Sequence, residues 1–288
     1  MVMIAVLLAG CAVLLGAVSI VAYSVAVEPR RLSVTRREIA SPYVPPGFEG
    51  KRIVQFSDTH VGPHYPMERF EALIGTLNAL EPDLLVFTGD LFDSRRRNAE
   101  ANPGASHVLS RLRAPLGKYA VYGNHDFGYS RMKRSAGPIL TRAGFTVLVN
   151  RTERVRLPNG ESIVLAGLDD CVLGRPDARN TLSRLQAGDF NLLLAHEPDP
   201  ADGYTRYPVD LQLSGHSHGG QVRLPGLGAL VRTKLGRKYV AGLYRLTGRF
   251  DPARPYLLYV NRGVGTTRMK LRFGSVPEVA VFTLRRAP

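Results

Sequence analysis

The chain is predicted to fold as an α/β domain behind an N-terminal apolar helix, and three observations carry that expectation. Nothing charged appears from Met1 to Val27. Beyond that stretch, short apolar runs alternate with a segment of helical period. Five of the runs end in acidic, amide or imidazole residues, as strands do where an open α/β sheet presents a ligand site at its carboxyl edge.

The first segment, residues 1–27, would extend roughly 40 Å as a helix and so cross a bilayer. Tyr23 suits a membrane interface. The segment is read as an uncleaved anchor and not a signal peptide, because no Lys or Arg precedes it and it exceeds the usual apolar region. Leu8-Ala9-Gly10-Cys11 has the form of a lipobox, but the apolar stretch before Cys11 is short and continues well past it. Cys171 is the only other cysteine, so no disulfide is expected. Arg30, Arg31, Arg36 and Arg37 follow the anchor and no basic residue precedes it. The positive-inside rule then makes this a single-pass protein of the cell inner membrane with its domain on the cytoplasmic side. Residues 28–50, ending in SPYVPPGFEG, are expected to form an irregular linker, and 51–288 the globular domain.

Within the domain, RIVQFS, LLVFT, KYAVY, NLLLA and DLQLS are read as strands. PMERFEALIGTLNAL places Phe70, Leu73, Ile74, Leu77 and Leu80 on one helical face, making a βαβ unit with the first two strands. RTERVRL and SIVLAGL flank Pro-Asn-Gly-Glu and predict a hairpin, while YLLYVN and EVAVFTL supply late strands.

The strand ends carry Asp58-Thr59-His60, Gly89-Asp90, Gly123-Asn124-His125-Asp126, His196 and Gly215-His216-Ser217-His218. A single His after an apolar strand is most simply structural. Here five of the seven histidines fall at such ends, which overrides that reading. The strongest donors are Asp58, His60, Asp90, Asn124, His196, His216 and His218, more than a tetrahedral ion accepts. They imply two ions, typically about 3.5–4 Å apart, with a shared carboxylate. Carboxylate, amide and imidazole donors without thiolate suit manganese, iron or zinc. His64 and His107 fit no block and are left as structural or solvated. Asp169-Asp170, after SIVLAGL, either lines the cleft or makes a cap or turn.

The blocks D-x-H, GD, GNH-D, a lone His and GH-x-H, in this order from about Arg52 onward, resemble the calcineurin-like metallophosphoesterase family. That resemblance implies a four-layer α/β/β/α sandwich. It also implies one ion on Asp58, His60, Asp90 and His218 and a second on Asp90, Asn124, His196 and His216, with Asp90 bridging. Asn124 then also lies beside the substrate phosphate. His125 would protonate the leaving oxygen or stabilise charge developing in the transition state, with the Asp93 carboxylate as its partner holding the tautomer, and Asp126 would support the loop. A metal-bridging hydroxide attacking in line is the implied nucleophile, so no covalent intermediate is expected.

The net charge of +14 points to an anionic partner without choosing among nucleic acid, acidic membrane and phosphorylated small molecule. Arg95, Arg96 and Arg97 follow the second block and either bind substrate or form a solvated run. Arg232, Lys234, Arg237 and Lys238, then Arg268, Lys270 and Arg272, are expected to skirt the bilayer, where each gains about 1 kcal/mol near anionic lipid. The run RGVGTTRMKLRFGSVPEVAVFTL resembles a branch of anchored bacterial phosphodiesterases, of which a member is a UDP-2,3-diacylglucosamine pyrophosphatase. This implies a phosphoester substrate that is lipid-linked, with Leu224, Leu227 and Leu230 either touching acyl chains or packing a hairpin. A nuclease is the alternative, but no tract interleaves aromatic and basic residues and Trp is absent. A non-catalytic anion-binding module would normally lack a ligand, and none of the seven is missing. No obligate protein partner is implied.

Overall fold

The computed structural model describes residues 1–93, 104–128 and 134–287. Helix α1 (Val2–Ala22) is apolar all round and buries none of its residues against the rest of the chain. Its 21 residues make a rod of about 31 Å, the thickness of a bilayer's hydrocarbon core. A π-turn (Tyr23–Val27) and a 3₁₀ turn (Glu28–Arg30) continue it into the domain.

Two six-stranded sheets follow. The first runs β1 (Ser33–Ser41), β14 (Glu278–Arg286), β2 (Arg52–Phe56), β3 (Leu84–Phe87), β4 (Lys118–Ala120) and β5 (Phe145–Val147). The second runs β12 (Gly242–Leu246), β13 (Tyr256–Val260), β9 (Leu211–Ser214), β8 (Asn191–Leu194), β7 (Ser162–Gly167) and β6 (Arg151–Arg156). Strands β2 to β5 pair in parallel, as do β7 to β9. The expected hairpin is β6 against β7, paired antiparallel from Arg151 opposite Gly167 to Arg156 opposite Ser162.

Three apolar cores separate four layers. Between the sheets, Ile53, Val86 and Phe282 meet Leu165, Leu192, Leu194 and Leu213, all nearly or fully buried. Strands buried on both faces need continuous apolar runs, which is why LLVF and NLLL do not alternate. On the outer face of the first sheet lies helix α2 (Met67–Ala79), which turns Phe70, Leu73, Ile74 and Leu77 inward as their spacing predicts. Helices α3 (Ala105–Ser110) and α4 (Gly137–Arg142) complete that layer. Over the second sheet, α5 (Ala178–Leu182) and α6 (Ala201–Tyr204) contribute Leu182 and Tyr204 to a core with Val164, Leu193 and Leu258. The result is an α/β/β/α sandwich.

The segment expected as a linker is structured. Strand β1 lies within it and pairs in parallel with β14 along its whole length, from Ser33 opposite Glu278 to Ser41 opposite Arg286. Val44 and Phe48, in the Pro-rich stretch that follows, are 1% exposed and join the core between the sheets. β1 looks unlike a strand because it is an edge: Arg36, Arg37 and Glu38 are exposed, and charge on an edge strand discourages further pairing.

Candidate metal centre

The loops after β2, β3 and β4 of the first sheet and after β8 and β9 of the second converge at one edge of the sandwich. Seven candidate donors arrive there: Asp58, His60, Asp90, Asn124, His196, His216 and His218, none more than 7% exposed. Donor atoms of Asp58, His60 and His218 lie within 4.8 Å of one another, as do those of Asp90, His196 and His216. A third group, His60, Asp90 and His125, links these two. Asp90 Oδ2 stands 3.3 Å from His196 Nε2 and 3.6 Å from His60 Nε2, so it lies between the clusters.

The local backbone explains how the donors turn inward. Asp58, His60, Asp90, His216 and His218 all adopt positive φ, between 46° and 67°. Non-glycine residues enter that region at a cost, and Asp and His are among those that tolerate it best. The motif glycines provide clearance. A Cβ on Gly215 would stand 2.0 Å from Ser57 Oγ and 2.3 Å from Asp58 Oδ2. One on Gly89, itself at φ +98°, would meet the Gly123 nitrogen at 2.5 Å.

Hydrogen bonds to the backbone set which ring nitrogen faces the centre. His196 Nδ1–H donates to the Thr88 carbonyl at 2.6 Å, which turns Nε2 toward Asp90. His216 Nε2–H donates to the Lys234 carbonyl at 2.6 Å, leaving Nδ1 as its inward donor. Carbonyls fix the tautomers of metal-binding histidines in this manner. The Nε2 atoms of His60 and His218 face each other at 3.1 Å. Asn124 Oδ1 is buried without a hydrogen-bond partner, and His196 Nε2 faces the Asp90 carboxylate at 3.3 Å. Buried lone pairs left unpaired are costly, and cations bound among these donors would satisfy them, so the residue set fits a metal centre.

Electrostatics differ among the donors: burial opposes protonation of His196, but the adjoining Asp90 overcomes it and holds that ring well above its usual value. Burial, reinforced by neighbouring His125, pushes His60 down to about 3, and burial with His196 nearby pushes His216 down to about 4. Both rings are therefore unprotonated at neutral pH. Burial opposes ionisation of Asp90, but the adjoining His196 and His125 overcome it and hold the carboxyl well below its usual range. Asp58 is raised to about 6 by burial, although His196 counteracts this and Ser57 donates a hydrogen bond at 2.5 Å.

Surrounding residues hold the loops in place. Asp126 accepts the backbone N–H groups of Asp90, Leu91 and Gly123 at 2.8, 2.8 and 2.9 Å, the supporting role expected of it. The His125 N–H donates to Asp90 Oδ1 at 2.6 Å, and its ring Nδ1–H donates at 2.8 Å to the Asp93 backbone carbonyl, not to the carboxylate expected to hold it. The Asp93 carboxylate stands 3.8 Å from His60 Nδ1. Asp170 accepts from the N–H groups of Val172, Leu173 and Gly174 and so builds a turn. Asp169 binds Arg134 Nη2 at 2.6 Å. Arg95, Arg96 and Arg97 lie outside the described residues. Arg272 departs from the sequence reading: instead of skirting the bilayer, it is fully buried behind His218. Its place beside Arg268 and Lys270 gives no sign of this, because the carbonyls that receive it lie at scattered sequence positions.

Residues 51–220 match the family model described as calcineurin-like phosphoesterase. An uncharacterized metallophosphoesterase of Bacillus subtilis, YkuE, is 43% identical over 91% of this chain and 89% of its own length. The UDP-2,3-diacylglucosamine pyrophosphatase LpxG of Chlamydia trachomatis is 29% identical over 88% of this chain and 89% of its own. A "transmembrane protein with metallophosphoesterase domain" from Danio rerio is 29% identical over 87% of this chain and 56% of its own length. Together with the apolar helix α1, a relative of that description suggests membrane anchoring. Fold, clustered donors and sequence similarity agree that the chain belongs to the calcineurin-like phosphoesterase family, as a metal-dependent phosphoester hydrolase.

Proposed function

We propose that this protein hydrolyses a phosphodiester or diphosphate bond of a membrane-associated, lipid-linked substrate at a dinuclear centre. Asp58, His60, Asp90 and His218 would hold one ion, and Asp90, Asn124, His196 and His216 the other. The observation that carries this reading is the convergence of seven buried donors from five loops, with Asn124 Oδ1 lacking any other partner. Manganese, iron or zinc bound there would supply charge to the phosphoryl oxygens and lower the pKa of an attacking water.

The chain's own groups would do the remaining work. His125, fixed through Nδ1 to the Asp93 carbonyl and set edge-on to His60 at 4.7 Å between ring centroids, would give a proton from Nε2 to the leaving oxygen. Asp93 would position His125 through that carbonyl, and its carboxylate would add negative charge beside His60. Asn124 would orient the phosphate, and Arg95 and Arg96 would contact its anionic flank.

Lipid linkage is supported by three features. One relative is named for a diacylated nucleotide sugar. Helix α1 would hold the domain at a bilayer. Leu227 and Leu230, at and beside the hairpin β10 (Arg223–Leu224) and β11 (Gly228–Ala229), are 71% and 55% exposed, which favours lipid contact over packing. Arg30 and Arg31 after the span favour a cytoplasmic domain on an inner membrane.

The test uses the full chain in detergent, stripped of metal and resupplied with manganese, zinc or iron. Assayed substrates would be a generic phosphodiester, a phosphomonoester, a UDP-linked diacyl sugar and single-stranded DNA. Hydrolysis of the UDP-linked lipid in preference to DNA is expected; turnover of none with any metal would refute the proposal, and preference for DNA would favour a nuclease. His125→Ala should keep both ions and lose about 10²–10⁴ in rate. His216→Ala should lose one ion.

A further inference from the structure

The turn that leaves the membrane helix is built into the catalytic domain. Ser24 and Glu28 are only 6% and 2% exposed. The Ser24 carbonyl accepts the Arg272 backbone N–H at 2.9 Å. The Glu28 carboxylate accepts two successive N–H groups, those of Gly274 at 3.1 Å and Ser275 at 2.7 Å. The anchor's exit therefore grips residues 272–275 at three points.

That short loop in turn supports two of the candidate ligands. Ser275 Oγ donates to the His218 carbonyl at 2.9 Å. The buried Arg272 guanidinium donates to the carbonyls of Ser275 at 2.9 Å, Arg262 at 2.8 Å and Gly265 at 2.6 Å, and Nη2 stands 3.4 Å from His218 Nδ1. The 262–265 loop so gathered lies against the other ligand strand: Val264 N–H donates to the Ser57 carbonyl at 3.0 Å and Gly265 N–H to that of Asp58 at 2.7 Å. A continuous set of hydrogen bonds thus runs from the end of the membrane helix to Asp58 and His218. His196 and His216 are braced elsewhere, by the Thr88 and Lys234 carbonyls.

We infer that Glu28 and Arg272 are positioning residues for the ion at Asp58, His60 and His218, so that the docked exit of the membrane anchor sets the affinity of that ion. The inference rests on the metal-centre assignment proposed above. Buried charges of this kind hold geometry well when fully paired and disturb it when one partner is removed. Loss of an outer partner typically weakens metal binding by about 10–100-fold.

The experiment titrates manganese into the stripped full chain, in detergent, for the unmodified protein, Glu28→Gln, Ser275→Ala and a surface control, Glu81→Gln. Glu28→Gln is nearly isosteric but loses one of two acceptors; Ser275→Ala removes only the link to His218. Expected in both is one of two manganese sites weakened by about 10–100-fold, the other unchanged, and an unfolding midpoint close to that of Glu81→Gln. Two sites bound as in the unmodified protein would overturn the inference, as would equal weakening of both sites with a lowered midpoint. If the unmodified chain itself bound no manganese, the metal-centre assignment would fail first, which separates the two results.

Discussion

At the residue scale the site is defined by backbone as much as by side chains. Asp58, His60, Asp90, His216 and His218 are half of the ten non-glycine residues with positive φ among the described residues. Each such conformation costs on the order of 1–3 kcal/mol, so the strain is concentrated where the donors converge. Protonation follows from the same burial. An ion at Asp58 must displace its proton; with that carboxyl raised to about 6 by burial, acid competes below this pH, whereas His60, pushed down to about 3, does not compete until far lower. The affinity of that site should accordingly fall about tenfold per unit as pH drops below about 6 and level off above it, measured by manganese titration from pH 5 to 8. A pH-independent affinity across that range would contradict the assignment of Asp58. The convergence of the seven candidate donors was legible in the sequence because each follows its strand within a few residues. Arg272, Glu28 and Ser24 were not, since their partners are backbone groups brought together only by the fold.

At the scale of elements, legibility tracked periodicity. Helix α2 was readable because Phe70, Leu73, Ile74 and Leu77 repeat at helical spacing and one face meets the first sheet. Phe70 is fully buried against that sheet, so Phe70→Ala should cost about 3–5 kcal/mol. Denaturant unfolding in detergent would measure it, and a loss below about 1 kcal/mol would mean that the helix is not docked as described. Strand β1 was missed for the opposite reason. One side of it meets solvent, its middle is charged, and pairing comes from β14, more than two hundred residues away in sequence. The 3₁₀ turn at Pro46–Phe48 was likewise hidden, because prolines suggest irregular chain whether or not its side chains are buried.

For the whole molecule, the apolar helix and the sandwich form one arrangement in which the helix end, the 272–275 loop and the candidate metal centre are contiguous. The cytoplasmic orientation proposed from Arg30 and Arg31 is open to direct measurement. With Cys11 and Cys171 replaced by alanine, Glu81→Cys on the exposed surface should resist a membrane-impermeant maleimide in cells whose outer layers are permeable, and react once the inner membrane is opened. Labelling before opening would place the domain outside. The sequence conveyed the four layers through motif order, but not the closure of the first sheet, where β14 is inserted between β1 and β2.

That closure dictates an order of assembly. β1 is made early, directly after the apolar helix, yet its strand neighbour among the described residues, β14, is residues 278–286, made more than two hundred residues later. Until then both β1 and β2 present open edges, and pairing must close a loop of more than two hundred residues, a slow step for any fold. A chain released before β14 would hold its parallel strands but leave two edges unpaired, and would be prone to join its neighbours edge to edge. Strand β14 therefore acts as a latch: only a chain translated through residue 286 can seal the sheet.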